Sequence, residues 1–123
     1  MSARVAVGVD LLERERVRRV HARYGTRFLT RVFTPLEIEQ AGGRIERLIG
    51  RFVAKEACAK VLGTGIGVVS WQEIEIVRQP GGNPQLRLTG AAAARAAQLG
   101  LTAFDVSLSD TATHSIAIVV GVG

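Results

Sequence analysis

The stretch Arg51-Phe-Val-Ala-Lys-Glu-Ala-Cys-Ala-Lys-Val-Leu-Gly63 decides how this chain is read. At about 3.6 residues per turn, Val53, Ala54, Ala57, Cys58, Val61 and Leu62 sweep out one wide apolar face of a helix. Phe52, Lys55, Glu56, Ala59 and Lys60 fill the remainder. A helix this apolar buries most of its surface, so the charges it keeps call for a reason. Glu56 sits mid-strip with Lys60 one turn further on, a pairing that is also an ordinary surface contact contributing about 0.2–0.5 kcal/mol. Gly63, followed by Thr64-Gly65-Ile66-Gly67, closes the helix and offers backbone amides to an anion.

A second carboxylate stands near the start. Arg4-Val-Ala-Val-Gly-Val-Asp10 alternates with period two, which sends Val5, Val7 and Val9 to one face and Ala6, Gly8 and Asp10 to the other. Asp10 therefore ends a strand on its small-residue face, where another element, a metal or a phosphate can come close. It fits equally well as the N-cap of a following helix, expected from about Leu12 to Arg23 with Val17 and Val20 turned inward.

The rest of the chain supplies more strands and one more helix. Glu73-Ile-Glu-Ile-Val-Arg78 and Gln85-Leu-Arg-Leu88 flank a Pro/Gly-rich loop and read as a hairpin. The alanine-rich segment from Gly90 to Gly100 is built from the best helix former, with glycine at each end. Phe104 to Ser109 alternates, and Ser115-Ile-Ala-Ile-Val-Val120 is a final apolar strand. These elements indicate an α+β fold with a mainly antiparallel sheet packed on helices. At 123 residues and 47% hydrophobic content, the chain is read as one domain over residues 1–123.

Charge and cysteine usage narrow the function. A net charge of +5 calls for an acidic partner, and arginine supplies nearly all of it, since Lys55 and Lys60 are the only lysines. Arg14, Arg16, Arg18, Arg19, Arg23, Arg27 and Arg31 cluster on or just after the expected early helix. A nucleic-acid binder would show such a face too, but aromatics are only 5% of the chain and are scattered rather than paired for base stacking. The glycines after Leu62 close a helix and carry no lysine, unlike a P-loop. Cys58 has no partner for a disulfide, no cationic leader precedes the first strand, and no apolar run approaches the roughly 20 residues of a spanning helix. A cytoplasmic protein without membrane insertion is expected.

Three blocks carry a family resemblance. Val7-Gly-Val-Asp-Leu-Leu-Glu-Arg-Glu-Arg16, the stretch from Arg51 to Gly63, and Val106-Ser-Leu-Ser109 resemble, in order and spacing, the signature blocks of holo-acyl-carrier-protein synthases, the small 4′-phosphopantetheinyl transferases. Phe28 to Glu37 is similar to the family's arginine-rich segment before a T-x-x-E turn, and Gly82-Asn-Pro84 to its G-K-P hairpin. The resemblance implies the 4′-phosphopantetheinyl transferase fold, a homotrimer, and Mg2+-dependent transfer of phosphopantetheine from coenzyme A to a serine of an acidic apo acyl carrier protein, releasing adenosine 3′,5′-bisphosphate. It assigns the metal to Asp10 and Glu56, and places Lys60 beside the donor's phosphates. It adds Arg51, Gly63, Thr64, Gly65, Gly82, Pro84 and Ser109 to the coenzyme A contacts, and gives carrier-protein docking to Arg16 and Arg23. The chain departs from the family at Asp110, where many members carry histidine after the Ser-Leu-Ser block. A carboxylate there repels phosphate unless it is protonated, metal-bound or turned away.

Overall fold

The computed structural model describes residues 3–123. Its elements run β1 (Val5–Glu13), α1 (Arg14–Tyr24), α2 (Thr26–Val32), α3 (Pro35–Gln40), α4 (Ile45–Leu62), a short 3-10 turn (Trp71–Glu73), β2 (Ile74–Arg78), β3 (Pro84–Leu88), α5 (Gly90–Gln98), β4 (Ala103–Asp110) and β5 (His114–Val122). Two antiparallel sheets result, one of order β1-β5-β4 and one formed by β2 and β3. The expected α+β class with antiparallel strands is what the chain adopts.

Helix α4 is the axle. It packs across the inner face of the three-stranded sheet and against β2, burying Leu48, Ile49, Val53, Ala54, Ala57, Cys58 and Leu62 completely. Side chains of Val or Leu size each contribute about 1.5–3 kcal/mol when buried this way. The close approach depends on Gly8 of β1. A Cβ built there would lie 2.1 Å from the carbonyl oxygen of Ala57 and 3.0 Å from Val61 Cγ2, so the small-residue face of the first strand is shaped to admit the helix backbone.

Three sequence expectations give way to the structure. Strand β1 continues to Glu13, paired residue by residue with β5 as far as Glu13↔His114, so helix α1 begins at Arg14 rather than near Leu12 and Asp10 is not its cap. Val17 is buried as expected, but Val20 is 39% exposed, because α1 touches the body along a narrow line. Between Thr26 and Gln40 two short helices appear that hydrophobic periodicity did not announce. The second is set by Thr34, whose hydroxyl accepts the Glu37 amide while a Glu37 carboxylate oxygen accepts the Thr34 amide, with Pro35 opening the helix.

The larger surprise is Lys55. Assigned by periodicity to the polar strip of α4, its side chain is fully buried, and Ala59 is buried beside it. Its ammonium donates to Glu37 Oε1 at 2.8 Å, to the Trp71 carbonyl at 2.9 Å and to the Ile74 carbonyl at 2.6 Å, so all three donors are used. Glu37, equally buried, also accepts the Ile76 amide on its other oxygen at 2.9 Å. Burial pulls the Lys55 pKa down, and the Glu37 charge pushes back. One ion pair thereby joins α3, α4, the 3-10 turn and β2. Replacing Lys55 by Met is expected to leave Glu37 buried without a counter-charge and to lower stability by about 3–5 kcal/mol. Urea denaturation checks this loss.

Candidate active site

Asp10 comes from β1 and projects from the same face as Ala6 and Gly8, towards α4. Lys60, in the last turn of α4, reaches back to it. Its ammonium donates to Asp10 Oδ1 at 3.0 Å and to the Val9 carbonyl at 2.9 Å. Glu56 lies one turn earlier, half-buried, between half-buried Phe52 and exposed Lys60 on one stripe of α4. Its pKa is raised, first by burial and then by the nearby negative charge of Asp10, while Lys60 opposes the shift. The structure therefore brings together Asp10, Glu56 and Lys60, from segments about fifty residues apart in the chain.

The donor set suits a hard cation. The Asp10 charge is felt at Glu56, and an ammonium has already settled on Asp10, so this spot favours positive charge. Mg2+ prefers oxygen ligands and keeps several waters, and two protein carboxylates leave room for phosphate oxygens to complete its shell. Among the described residues no cluster of three or more His, Cys, Asp or Glu gathers, so such an ion would draw its remaining ligands from water and substrate. Gly63 closes α4 as expected, and in doing so uses its own amide. The Gly63 amide is committed to the Ala59 and Lys60 carbonyls with Gly63 at φ 70°, a left-handed helix cap, so it is no free anion donor. Thr64 Oγ1 is buried without a hydrogen-bond partner among the described residues.

Three of the remaining coenzyme A candidates gather elsewhere. An open cleft of about 940 Å³ lies between the amino-terminal half of α4, the β2–β3 hairpin and β4. Arg51, Gly82 and Pro84 line it, together with Arg47, Arg78 and Asp110, which sequence reasoning did not select as ligands. Arg51 is tied down there, donating to the Glu37 carbonyl at 2.8 Å and to Gln40 Oε1 at 3.3 Å. Five residues separate Arg51 from Glu56, which turns the two side chains about 140° apart around α4. The cleft and the carboxylate pair are thus on different sides of one helix, and neither Asp10, Glu56 nor Lys60 lines the cleft. Ser109 is exposed on β4 and outside the lining. Arg16 and Arg23 are exposed on α1, Arg23 lying 5.4 Å from the centre of the Tyr24 ring.

Comparison with known proteins assigns the group to which this arrangement belongs. Residues 6–119 match the 4′-phosphopantetheinyl transferase superfamily. The chain belongs to this family. A holo-acyl-carrier-protein synthase of Herpetosiphon aurantiacus is 42% identical over 97% of this chain and 99% of its own. The crystal structure of the holo-acyl-carrier-protein synthase from Neisseria meningitidis superposes with a TM-score of 0.84 at 35% identity, covering 94% of this chain and 96% of that one. The Helicobacter pylori holo-acyl-carrier-protein synthase, solved in complex with coenzyme A, gives a TM-score of 0.84 at 29% identity over 94% of this chain and 98% of that one.

Within this phosphopantetheinyl transferase, two arginines counted as surface charge have inward duties. Arg14 is only 6% exposed and bonds Glu46, Ser115 and Asp110, and Arg18 also grips Glu46. No local pattern marks Arg14 as buried, since its partners lie 32 to 101 residues away. Glu37, by contrast, was legible as the fourth residue of Thr34-Pro-Leu-Glu37.

The raised pKa of Glu56 has a stability consequence. The folded state holds its proton more tightly than the unfolded chain, whose glutamate titrates near 4.5, so this contribution is fully present below that value and is lost as pH rises through the raised one. Glu56→Gln is therefore expected to melt at a higher temperature than the parent near pH 7. The difference should vanish towards pH 4 or below, which paired thermal melts across that range check directly.

Proposed function

We propose that the chain transfers the 4′-phosphopantetheine arm of coenzyme A to a serine hydroxyl of an acidic apo acyl carrier protein, with Mg2+, releasing adenosine 3′,5′-bisphosphate. The observation that carries this reading is the convergence of Asp10, Glu56 and Lys60 on one spot in a chain of this family. Phosphoryl transfer asks little covalent work of a protein and much positioning and charge neutralisation. Asp10 and Glu56 would hold the ion, which when bound neutralises charge on the donor's pyrophosphate. Lys60 offsets charge growing on the bridging and leaving oxygens, from the position its bond to the Val9 carbonyl maintains. Glu56 orients the water that accepts the serine proton. Arg16 and Arg23 on the exposed side of α1 dock the acidic carrier. Such a reaction in the cytoplasm would supply carrier proteins for fatty acid or polyketide synthesis.

The active unit in this reading is a homotrimer of one-domain chains. Val5 (65%), Val7 (61%), Leu11 (60%), Ile118 (42%) and Val122 (40%) are exposed on one continuous face of the three-stranded sheet, where Val5 opposes Val122 and Val9 opposes Ile118. Soluble monomers rarely leave contiguous apolar faces of this kind open. Packing copies through it lets the cleft of one chain, with Arg51, Gly82 and Pro84, face the carboxylates, Thr64 and Gly65 of the next, so that one coenzyme A spans both half-sites. Ser109 lies on the strand at the margin of that junction.

Incubation with coenzyme A, Mg2+ and an apo carrier protein is expected to add the mass of one phosphopantetheine arm to the carrier. Asp10→Asn and Glu56→Gln should each lower the transfer rate by about 100-fold or more, and Lys60→Ala should also impair it. Full activity in both carboxylate variants would remove the metal assignment. Val7→Arg is expected to shift the native mass from three chains to one and to abolish transfer together with the shared site. A fully active monomer would end the trimer reading.

A further inference from the structure

The large cleft is lined by three arginines, Arg47, Arg51 and Arg78, and by three carboxylates, Glu46, Asp105 and Asp110. On formal charge alone it should not attract a phosphate-rich donor. What changes the sum is a residue behind the wall. Arg14 does not line the cleft and its side chain is 8% exposed, yet its Nη1 lies 3.3 Å from Asp110 Oδ1 and its Nη2 lies 2.8 Å from Glu46 Oε2. The same Nη1 donates to Ser115 Oγ at 2.6 Å, and that hydroxyl donates to Asp110 Oδ1 at 2.6 Å. The Arg14 amide is bonded to the Thr113 carbonyl at 2.8 Å, which fastens the start of α1 to the β4–β5 turn.

The two carboxylates depend on Arg14 unequally. Glu46 is also held by Arg18, through Nε to Oε1 at 2.5 Å and Nη2 to Oε2 at 3.1 Å, and its pKa is lowered to about 2, first by the Arg18 bond and then by the Arg14 bond. Asp110 has no cationic partner other than Arg14 among the described residues. Its side chain is 52% exposed at the cleft rim, so its charge reaches any anion bound there unless Arg14 cancels it.

We propose that Arg14 is a positioning residue for the phosphate-bearing donor: it masks and immobilises Asp110 from behind the cleft, so that Arg47, Arg51 and Arg78 set the sign of the field that the donor meets. The role rests on the reading of the cleft as the coenzyme A half-site. It also accounts for a carboxylate at a position where the family resemblance leads one to expect histidine. In this arrangement Asp110 is paired with Arg14 and held by the Ser115 hydroxyl.

The test is a mutant cycle read as KM for coenzyme A at two ionic strengths. Arg14→Met is expected to raise KM about five- to tenfold at low salt, with kcat changed much less, because a bare carboxylate then faces the donor phosphates. The increase should shrink at high salt, where Debye screening shortens the reach of an exposed charge. Arg14→Met with Asp110→Asn should recover most of the loss. A lesion of packing alone would show neither the salt dependence nor the recovery. Should Arg14→Met fail to fold, Arg14→Gln removes the charge while keeping a polar side chain at the position, and carries the same expectations. A folded single variant with unchanged KM, or a double variant no better than the single, overturns the proposal. Absence of transfer by the parent chain would instead overturn the functional reading itself.

Discussion

The buried contact between Lys55 and Glu37 is the constraint on which the arrangement of the site depends. An ammonium and a carboxylate taken fully out of water are tolerated only when every donor and acceptor is answered, and here they are, by the Thr34 and Ile76 amides and the Trp71 and Ile74 carbonyls. These partners come from four elements, so satisfying one pair of charges sets the relative placement of α3, α4, the 3-10 turn and β2. Phe33 lies against the same ammonium, with its ring centre 5.6 Å away. A nonpolar pair of similar volume would pack there too, but it would not demand the same geometry.

With α4 held along that side, its opposite flank is pressed onto β1 at Gly8, where the Ala57 carbonyl occupies the space that any side chain would need. That contact delivers Glu56 and Lys60 to Asp10. The same helix sends Arg51 the other way, into the cleft beside the β2–β3 hairpin. A single rigid element thus carries both groups of candidate residues on separate faces. One small chain therefore holds two groups of coenzyme A candidates that do not meet within it.

Electrostatics at the far end of the cleft follow the same economy. Arg14 and Arg18 belong by sequence to a run of basic residues suited to an acidic partner, but they are spent on Glu46 and Asp110. Arg16 and Arg23 remain outward on the same helix. Neighbouring arginines on one helix therefore divide between internal pairing and an exposed positive face, according to the direction each side chain leaves the helix.

Strand alternation before Asp10, the apolar run of α4, the hairpin around Gly82 and the spacing of Asp10, Glu56 and Lys60 were all legible in the sequence, because each is a local pattern of side chains on a repeating backbone. The family blocks were legible for the same reason. The end of β1, the inward turn of Lys55 and Arg14, and the division of the coenzyme A candidates between two faces of α4 were decided by tertiary structure alone. Each of these turns on a partner tens of residues away, whose charge or carbonyl becomes available only once the chain has closed around it, and desolvation then makes that partner obligatory.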